Sequence, residues 1–394
     1  MGIDVAGLPV IDVHCHPFLD RGELTADDFT RLTAFGGVDD DWLPAGGVEL
    51  TDAVRDELRR FRRDTAYHKR MVADLAAFFG VEPDLDAVLE RRNAAVGAGY
   101  SDYVRRLFGD AGITGAVVDF GYPQPAIEIE PFRAQIPIEI VPIYRIEPLI
   151  VELLASDIGW DEFRRRFDDT IANALTNRGY RGVKSIIAYR TGLDISPLSR
   201  TPDQGYLALD AIRRGLGGGS MKKLRDHLVC RSLELCMEHS VPMQIHTGMG
   251  DHEVNLVLSR PAYLMDLLRF PAYRGCHVIL VHTGYPYQAE AGYMAGVLPR
   301  VYCDIGEGIP FAGHGASRIL SEVLEMAPWS KVLYSSDGYN VPEIMYPSAK
   351  VGKQAVAQTL DRLVEDGWMQ PATAPHAAEA ILAGNARRLY RIDD

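Results

Sequence analysis

A His-x-His pair near the start of the chain is the first group of residues that could do chemistry. His14 and His16 follow the apolar residues Val10 and Ile11, in a run typical of a buried β-strand. Successive side chains of a strand alternate faces, so the two imidazoles would project together, about 6–7 Å apart along the strand. That pair can bind one metal cation. The simpler alternative is a strand end that happens to carry two histidines.

Four later apolar runs contain, or end in, a side chain that binds metal or transfers protons. They carry Lys184, His246, His282 and Asp337, in that order along the chain. Lys184 lies inside a strand-like run, where a bare ammonium group would be costly to bury. A core histidine bonded to a backbone carbonyl would explain any one imidazole alone. It does not explain four histidines at predicted strand ends.

The elements that must position these residues alternate between strands and helices after residue 100, which is typical of a parallel α/β sheet. Strands are predicted at 10–16, 115–121, 138–144, 182–188, 241–246, 277–282, 300–304 and 332–337. Helices are predicted at 161–177, 222–239, 315–327, 346–366 and 374–390, the last with a break near Gly384. Eight strands is the number that a closed barrel needs.

The order His-x-His, Lys, His, His, Asp, which spans residues 10 to 337, resembles the amidohydrolase superfamily. That resemblance implies a (β/α)8 TIM barrel with metal ligands at the C-terminal ends of its strands. Residues 182–190, 244–251 and 335–339 are similar to one branch, the amidohydrolase domain that precedes a glutamine-synthetase-like domain in some plant and fungal proteins. The chain ends at Asp394, so we expect the stand-alone form of that domain.

The ligand set implied by this resemblance is His14, His16, His246 and Asp337. Neutral imidazoles and a carboxylate suit Zn²⁺, with Mn²⁺, Fe²⁺ or Co²⁺ as alternatives, and one or two ions per chain are expected. Such a metal lowers the pKa of its water from 15.7 to about 7. Asp337 is suited to bind the metal and to accept the proton of that water. His282 could polarise a carbonyl, act as an acid or base, or bind a second metal.

Lys184 has two interpretations. The resemblance implies two roles for a lysine on the fourth strand: in binuclear members of the superfamily it is carboxylated and bridges two metals, whereas in mononuclear members it can sit in the barrel without touching metal. Lys184 therefore either bridges a second metal, or binds a substrate anion or serves the structure. We exclude a buried lysine without any partner, because its desolvation would be too costly.

The substrate is expected to meet residues in the loops after the strands, where barrel enzymes place their binding groups. The candidates are Tyr189, Arg190, Asp251, Tyr285 and Tyr287. Arg190 could hold a substrate carboxylate through two parallel hydrogen bonds.

Two segments exceed a minimal barrel. Residues 20–112 contain charged amphipathic stretches, so a helical insertion is predicted there, serving as a lid or an oligomer contact, or as a solvated decoration without a role. Residues 189–221 are rich in Gly, Pro, Ser and Arg and end in a glycine run, which predicts a mobile active-site loop.

The composition and charge of the chain argue against some classes of binding partner. The 394 residues, 47% of them hydrophobic, suit a single barrel domain over 1–394. The net charge of −13 argues against a nucleic-acid partner, and no apolar run of about 18 residues suggests a membrane span. The N-terminus does not resemble a signal peptide, and five scattered cysteines suit reduced thiols. We expect a cytoplasmic, homo-oligomeric protein that binds a small molecule.

These observations predict a metal-dependent hydrolase of a C–N amide bond in a small anionic substrate, with Asp337 and His282 as catalytic residues. The association with glutamine-synthetase-like domains makes a γ-glutamyl amide the preferred substrate class. A nonoxidative decarboxylase and a sugar-acid isomerase are the enzymatic alternatives. A metal-stabilised regulatory scaffold is the alternative without catalysis, although the intact set of ligands argues against it.

Overall fold

The protein is a (β/α)8 TIM barrel, seen in a computed structural model that describes residues 2–36 and 42–392. The strands are β1 Val10–Cys15, β2 Ile113–Asp119, β3 Glu139–Arg145, β4 Val183–Ser185, β5 Met243–His246, β6 Val278–Val281, β7 Val301–Asp304, β8 Gly306–Glu307 and β9 Val332–Leu333. Strands β1 to β7 and then β9 pair in parallel, in chain order, whereas β8 forms a separate bridge with Ile309. The Val13 amide donates to the Tyr334 carbonyl at 3.0 Å and closes the barrel.

Helices surround the barrel and form the insertion after β1. They are α1 Ala26–Thr33, α2 Trp42–Ala45, α3 Asp52–Arg63, α4 Ala66–Phe79, α5 Leu85–Ala98, α6 Tyr100–Ala111, α7 Ile129–Gln135, α8 Ile146–Ala155, α9 Trp160–Asn177, α10 Pro202–Arg213, α11 Ser220–Glu238, α12 Met265–Arg269, α13 Gln288–Val297, α14 Gly308–Phe311, α15 Ala316–Leu324, α16 Met345–Glu365, α17 Ala374–Glu379 and α18 Asn385–Tyr390. The predicted barrel strands and outer helices are confirmed to within a few residues. The expected break near Gly384 is a π-helical turn, Ala380–Gly384.

The predicted loop over 189–221 is wrong for most of its length. A 3-10 turn covers Pro197–Arg200 and the twelve-residue helix α10 follows it. Helix α10 packs against α11, with Ala208 and Leu209 buried. The glycines and prolines that suggested a loop lie mainly at the ends of the helix. Pro202 occupies its first turn, where a missing amide hydrogen costs nothing.

The barrel interior has an apolar layer at its N-terminal end. This layer contains Ile11, Val13, Val117, Val141, Ile143, Ile279, Val281, Tyr302 and Leu333. The C-terminal helix α18 packs on it through Ala386 and Tyr390. The Tyr390 hydroxyl lies 2.7 Å from Gln244 Nε2 inside the barrel, and Asn385 donates to the Val332 carbonyl at 2.8 Å. This end of the barrel is therefore sealed by side chains.

The insertion of residues 20–112 is helical in its described part, as predicted, and comprises α1 to α6. It is tied to the segment after β9. The Tyr339 hydroxyl donates to the Ala34 carbonyl at 2.6 Å, and Arg92 pairs with Glu343 at 2.8 Å. Because Asp337 lies in the same segment after β9, the insertion supports the end of the barrel that carries the candidate ligands. Its role as a lid or an oligomer contact stays a prediction.

All five cysteines are free and buried, in agreement with the expected reduced thiols. Among the described residues, no helix combines the length and apolar character needed to cross a lipid bilayer.

Candidate metal centre

Three of the predicted ligands meet at the C-terminal end of the barrel. His14, His16 and Asp337 each present a ligand atom, and these atoms lie within 4.8 Å of one another. Asp337 Oδ1 is 3.3 Å from His14 Nε2 and 3.4 Å from His16 Nε2. All three side chains are buried, with residual exposures of 1%, 8% and 9%. The structure thus brings together the first predicted ligands in the chain, His14 and His16, and the last one, Asp337.

The spacing of these atoms suits a bound cation. Ligands about 2.0–2.1 Å from a tetrahedral zinc ion lie about 3.3–3.4 Å apart, because the edge of a tetrahedron is about 1.6 times its centre-to-corner distance. Asp337 Oδ1 has no hydrogen-bond donor in the described structure, although it is buried between two imidazole nitrogens. A buried carboxylate oxygen needs a positive partner. The three residues therefore fit a divalent metal site.

The His-x-His pair reaches the site through an irregularity in β1. Ile11 and Val13 point into the barrel, so strict alternation would turn His14 outward. The pairing of β1 with β2 shifts register between Asp12 and Cys15, and Cys15 packs in the outer core. Such a bulge redirects the side chains that follow it. Both imidazoles consequently face the metal site, with ring centroids 5.1 Å apart.

Backbone and carboxylate contacts orient the two imidazoles and the strand that bears them. His16 Nδ1 lies 3.2 Å from the Asp119 carbonyl oxygen, and a hydrogen on Nδ1 leaves the Nε2 lone pair for a metal. Asp12 accepts from the His14 amide at 3.1 Å and from the Ser336 amide at 3.0 Å. Asp12 thus joins the strand of the histidines to the segment of Asp337, and fixes their relative position.

His246 and His282 lie beside this group without joining the three-residue cluster. Their rings are 4.4 Å apart, and His282 is 5.3 Å from the His14 ring. His246 Nε2 is 2.8 Å from the Met249 carbonyl oxygen, so that nitrogen is directed at the backbone. The assignment of His246 as a fourth ligand stays a prediction, which would use Nδ1. His282 has a left-handed backbone, with φ of 72°, that turns its ring from the strand end towards the site.

Burial keeps the histidines neutral. It lowers the pKa of His14, His246 and His282 well below the usual histidine value, and the nearby Lys184 ammonium adds to the effect. A neutral imidazole is the form that binds a metal. The electrostatics of the site therefore favour metal binding over imidazolium formation.

Lys184 is fully buried on β4, and its Nζ is 3.2 Å from His14 Nε2. Burial lowers the pKa of Lys184 to about 8, while the charges of Asp119, Asp337 and Asp304 act in the opposite direction. The lysine thus touches a candidate ligand, and the choice between its interpretations stays a prediction. A neutral amine is also the form that can be carboxylated.

Sequence reasoning missed a set of buried charges in the same layer. Arg145 donates to Asp119 Oδ2 through Nε at 2.8 Å and Nη2 at 2.6 Å. Asp304 accepts from the His282 amide at 2.8 Å, and burial raises the pKa of Asp304 to about 6. Asp119, Arg145 and Asp304 each end an apolar strand. A charged side chain within or at the end of an apolar run is the signal that drew attention to Lys184 and Asp337, so it could have found these three residues.

The predicted substrate residues are distributed unevenly around the site. Tyr189 packs on His246, with ring centroids 4.6 Å apart, and its hydroxyl accepts from the Asp251 amide at 2.9 Å.

The other candidates have different contacts. Arg190 is 37% exposed and lies 3.6 Å from Glu253. Tyr285 follows His282, and its carbonyl accepts from the Met249 amide at 2.7 Å. Tyr287 lies under the guanidinium of Arg260, at 4.9 Å. Tyr189 is the candidate with a contact to a site histidine.

Comparisons with known proteins agree on the family of the chain. The family model described as amidohydrolase matches residues 158–392. The protein fluG of Emericella nidulans is 32% identical in an alignment that covers 98% of this chain and 46% of fluG. The chain thus spans about half the length of this curated relative.

Two solved structures resemble the whole chain. A protein of Lactobacillus casei described as a metal-dependent hydrolase is 25% identical, with a TM-score of 0.83 and coverage of 98% of this chain and 96% of that one. Glucuronate isomerase from Caulobacter crescentus is 18% identical, with a TM-score of 0.69 and coverage of 99% and 92%. The second likeness shows the fold alone.

Proposed function

The chain belongs to the amidohydrolase family, and on that premise we propose that it is a metal-dependent hydrolase of a C–N amide bond in a small anionic substrate. The observation that carries the proposal is the placement of Asp337 Oδ1 at 3.3 and 3.4 Å from two histidine nitrogens, with no hydrogen-bond donor among the residues that the structure describes. His14, His16 and Asp337 would hold the ion, which we propose to be Zn²⁺. When bound, it supplies Lewis acidity that acidifies water and polarises a carbonyl.

The residues around the ion have separate roles in proton transfer and in substrate orientation. Asp337 directs Oδ1 at the two imidazoles, so Oδ2 accepts the proton of the attacking water and returns it to the leaving amine. His282, held by the bond of its amide to Asp304, orients the substrate carbonyl and donates to the oxygen that becomes negative. The buried layer around them excludes bulk water, which strengthens both interactions.

Anionic substrates are favoured by the cations at this end of the barrel. Arg190 lies at its rim, partly exposed, and has a loose surface contact with Glu253 that a substrate carboxylate can displace. Lys184 adds a positive charge in the interior when it is protonated. The choice of a γ-glutamyl amide rests on the resemblance to amidohydrolase domains joined to glutamine-synthetase-like domains, and not on a contact.

The test is a panel of γ-glutamyl amides assayed in ¹⁸O-labelled water with the metal-loaded protein. The proposal predicts release of amine or ammonia and entry of one ¹⁸O atom into the new carboxylate. Release of CO₂ from aromatic carboxylates, with inert amides, would replace the hydrolase by the decarboxylase. Aldose–ketose interconversion of uronic acids would replace it by the isomerase, and inactivity on every substrate would favour a scaffold.

Lys184 distinguishes one metal from two. If it bridges two ions as a carbamate, Lys184→Ala loses one equivalent of metal, and short carboxylic acids added with metal restore part of the activity. If it binds a substrate anion, metal content is unchanged and KM rises. Unchanged metal content and unchanged kinetics would make the lysine structural.

A further inference from the structure

The imidazole of His16 is held from two sides by the short loop that follows β2. His16 Nδ1 lies 3.2 Å from the Asp119 carbonyl oxygen, and the Tyr122 ring meets the His16 ring edge-on, with centroids 5.3 Å apart. The corresponding nitrogen of His14, Nδ1, has no hydrogen-bond partner among residues 2–36 and 42–392. The orientation of His16 therefore depends on where residues 119–122 lie.

The hydrogen bonds between strands do not fix this loop. The pairing of β2 ends at Val118 on the side of β1 and at Asp119 on the side of β3. Beyond that point the Asp119 carboxylate holds the chain. Its Oδ1 accepts from the Gly121 amide at 2.9 Å, and its Oδ2 accepts from Arg145 Nε and Nη2 at 2.8 and 2.6 Å.

The pair of Asp119 and Arg145 is well suited to anchor the loop. Its side chains are only 0% and 10% exposed, and the guanidinium donates two hydrogen bonds to the carboxylate. Charge-assisted bonds from two nitrogens of one planar group fix direction as well as distance. Arg145, at the end of β3, thereby sets the position of the last residue of β2.

The loop also packs directly on the Arg145 side chain. A Cβ atom at residue 121 would collide with Arg145 Cβ and would lie 2.6 Å from Arg145 Cδ. Only glycine fits there while the arginine keeps its place. The backbone at Gly121 and the stem of Arg145 are thus packed as one unit, so a shift of either moves the other.

We propose that Arg145 is a positioning residue for the metal, because it holds residues 119–122 and through them fixes the ring orientation and tautomer of His16. The proposal rests on the metal-dependent function given above. Arg145 acts through Asp119 and does not itself bind the ion. Contacts that orient a metal-binding imidazole typically change metal affinity by about 10–100-fold when they are removed.

The experiment measures the affinity of the protein for Zn²⁺ by competition with a chromophoric chelator, which requires no substrate. Arg145→Lys keeps the positive charge but donates from one nitrogen, and Gly121→Ala keeps every charge but displaces the arginine. Each should weaken Zn²⁺ binding by about tenfold. Because the charge at residue 145 is unchanged, its repulsion of the cation does not enter the comparison.

Two matched variants control for the substitutions themselves. Arg231→Lys changes another largely buried arginine that pairs with an aspartate, on α11 outside the barrel. Gly159→Ala adds a methyl group where no atom lies within 4 Å. Both should bind Zn²⁺ as the wild type does.

The visible absorption of the Co²⁺-loaded protein is the second measurement, because it reports the geometry of the ligands. It should change in Arg145→Lys and Gly121→Ala and not in the controls. The proposal is overturned if either variant, folded by circular dichroism, keeps the wild-type affinity and spectrum. If one of the two does not fold, the other decides. A wild type that binds no metal would overturn the metal assignment as well.

Discussion

The two ends of the barrel interior are built from the same strands and do opposite things. At the N-terminal end the strands contribute Val117, Ile143 and Tyr302, and Tyr390 closes the layer. Two residues further along, the same strands contribute Asp119, Arg145 and Asp304 to the C-terminal end. A step of two residues along each strand therefore separates a layer that stabilises the fold from a layer that can do chemistry. This division is expected of a TIM barrel.

Backbone strain is concentrated at the polar end. His282, Thr283, Asp337 and Asn340 have positive φ values, between 53° and 72°, in the loops after β6 and β9. Such conformations cost free energy in residues other than glycine and persist where the surroundings impose them. The backbone conformations that place His282 and Asp337 therefore lower the stability of the fold. The buried apolar layer at the other end of the barrel offsets this cost.

Asp337→Asn should produce the largest change. The amide keeps the shape of the side chain but is a poor proton acceptor, so turnover should fall by about 10²–10⁴-fold. The free energy of unfolding should change little, because the apolar end is untouched. Asp366→Asn, at an exposed helix end, is the matched control and should retain full activity. An active Asp337→Asn variant would show that Asp337 is not the general base.

Arg92→Met should strongly destabilise the polar end. Arg92 and Glu343 form an ion pair with side chains only 1% and 0% exposed, and Tyr103 donates to the same carboxylate at 2.9 Å. Removal of the arginine leaves a buried carboxylate without its cation, at a cost of about 3–5 kcal/mol. Urea denaturation checks this. Arg165→Met, which breaks exposed pairs with Glu162 and Asp169, should shift the denaturation midpoint far less.

His68 should make the insertion sensitive to acid. Burial lowers the pKa of His68 to about 4, whereas the unfolded chain titrates near 6.5. Between these values the unfolded state binds the extra proton, so stability falls as the pH drops from 6.5 towards 4. At pH 5 the loss should be about 1–2 kcal/mol. His68→Gln should flatten this dependence and His376→Gln, at an exposed site, should not. Equal slopes in both variants would contradict the prediction.

Tyr390→Phe should have the smallest effect of these variants. Unlike Asp337→Asn, it should lower stability and leave activity unchanged. The ring stays in the apolar layer, but its bond to Gln244 is lost, at a cost of about 1 kcal/mol in unfolding free energy. Metal content and turnover should not change. A drop in kcat without a drop in stability would mean that the two ends are not separate.

The sequence predicted the eight strands because each is a short apolar run bounded by turn residues, and it predicted the ligand order through family resemblance. It could not predict the bulge in β1, because a register shift depends on the neighbouring strand. Simple alternation gave the right grouping of His14 and His16 but not the path by which they reach the site.

Other features depend on contacts between distant parts of the chain. Helix α10 was missed because its flanking glycines and prolines obscured a helix whose buried face is completed by α11. The aromatic contacts of Phe311 join residues from the insertion and from two barrel loops. No local pattern marks such a meeting point.

The central claim is that His14, His16 and Asp337 hold a divalent metal, and its most direct test is the metal-to-chain ratio by inductively coupled plasma mass spectrometry. The account predicts at least one equivalent in the wild type. It predicts loss of most of that metal in the His14→Ala/His16→Ala variant, with the fold intact by circular dichroism. Full metal occupancy in the correctly folded double variant would contradict the assignment.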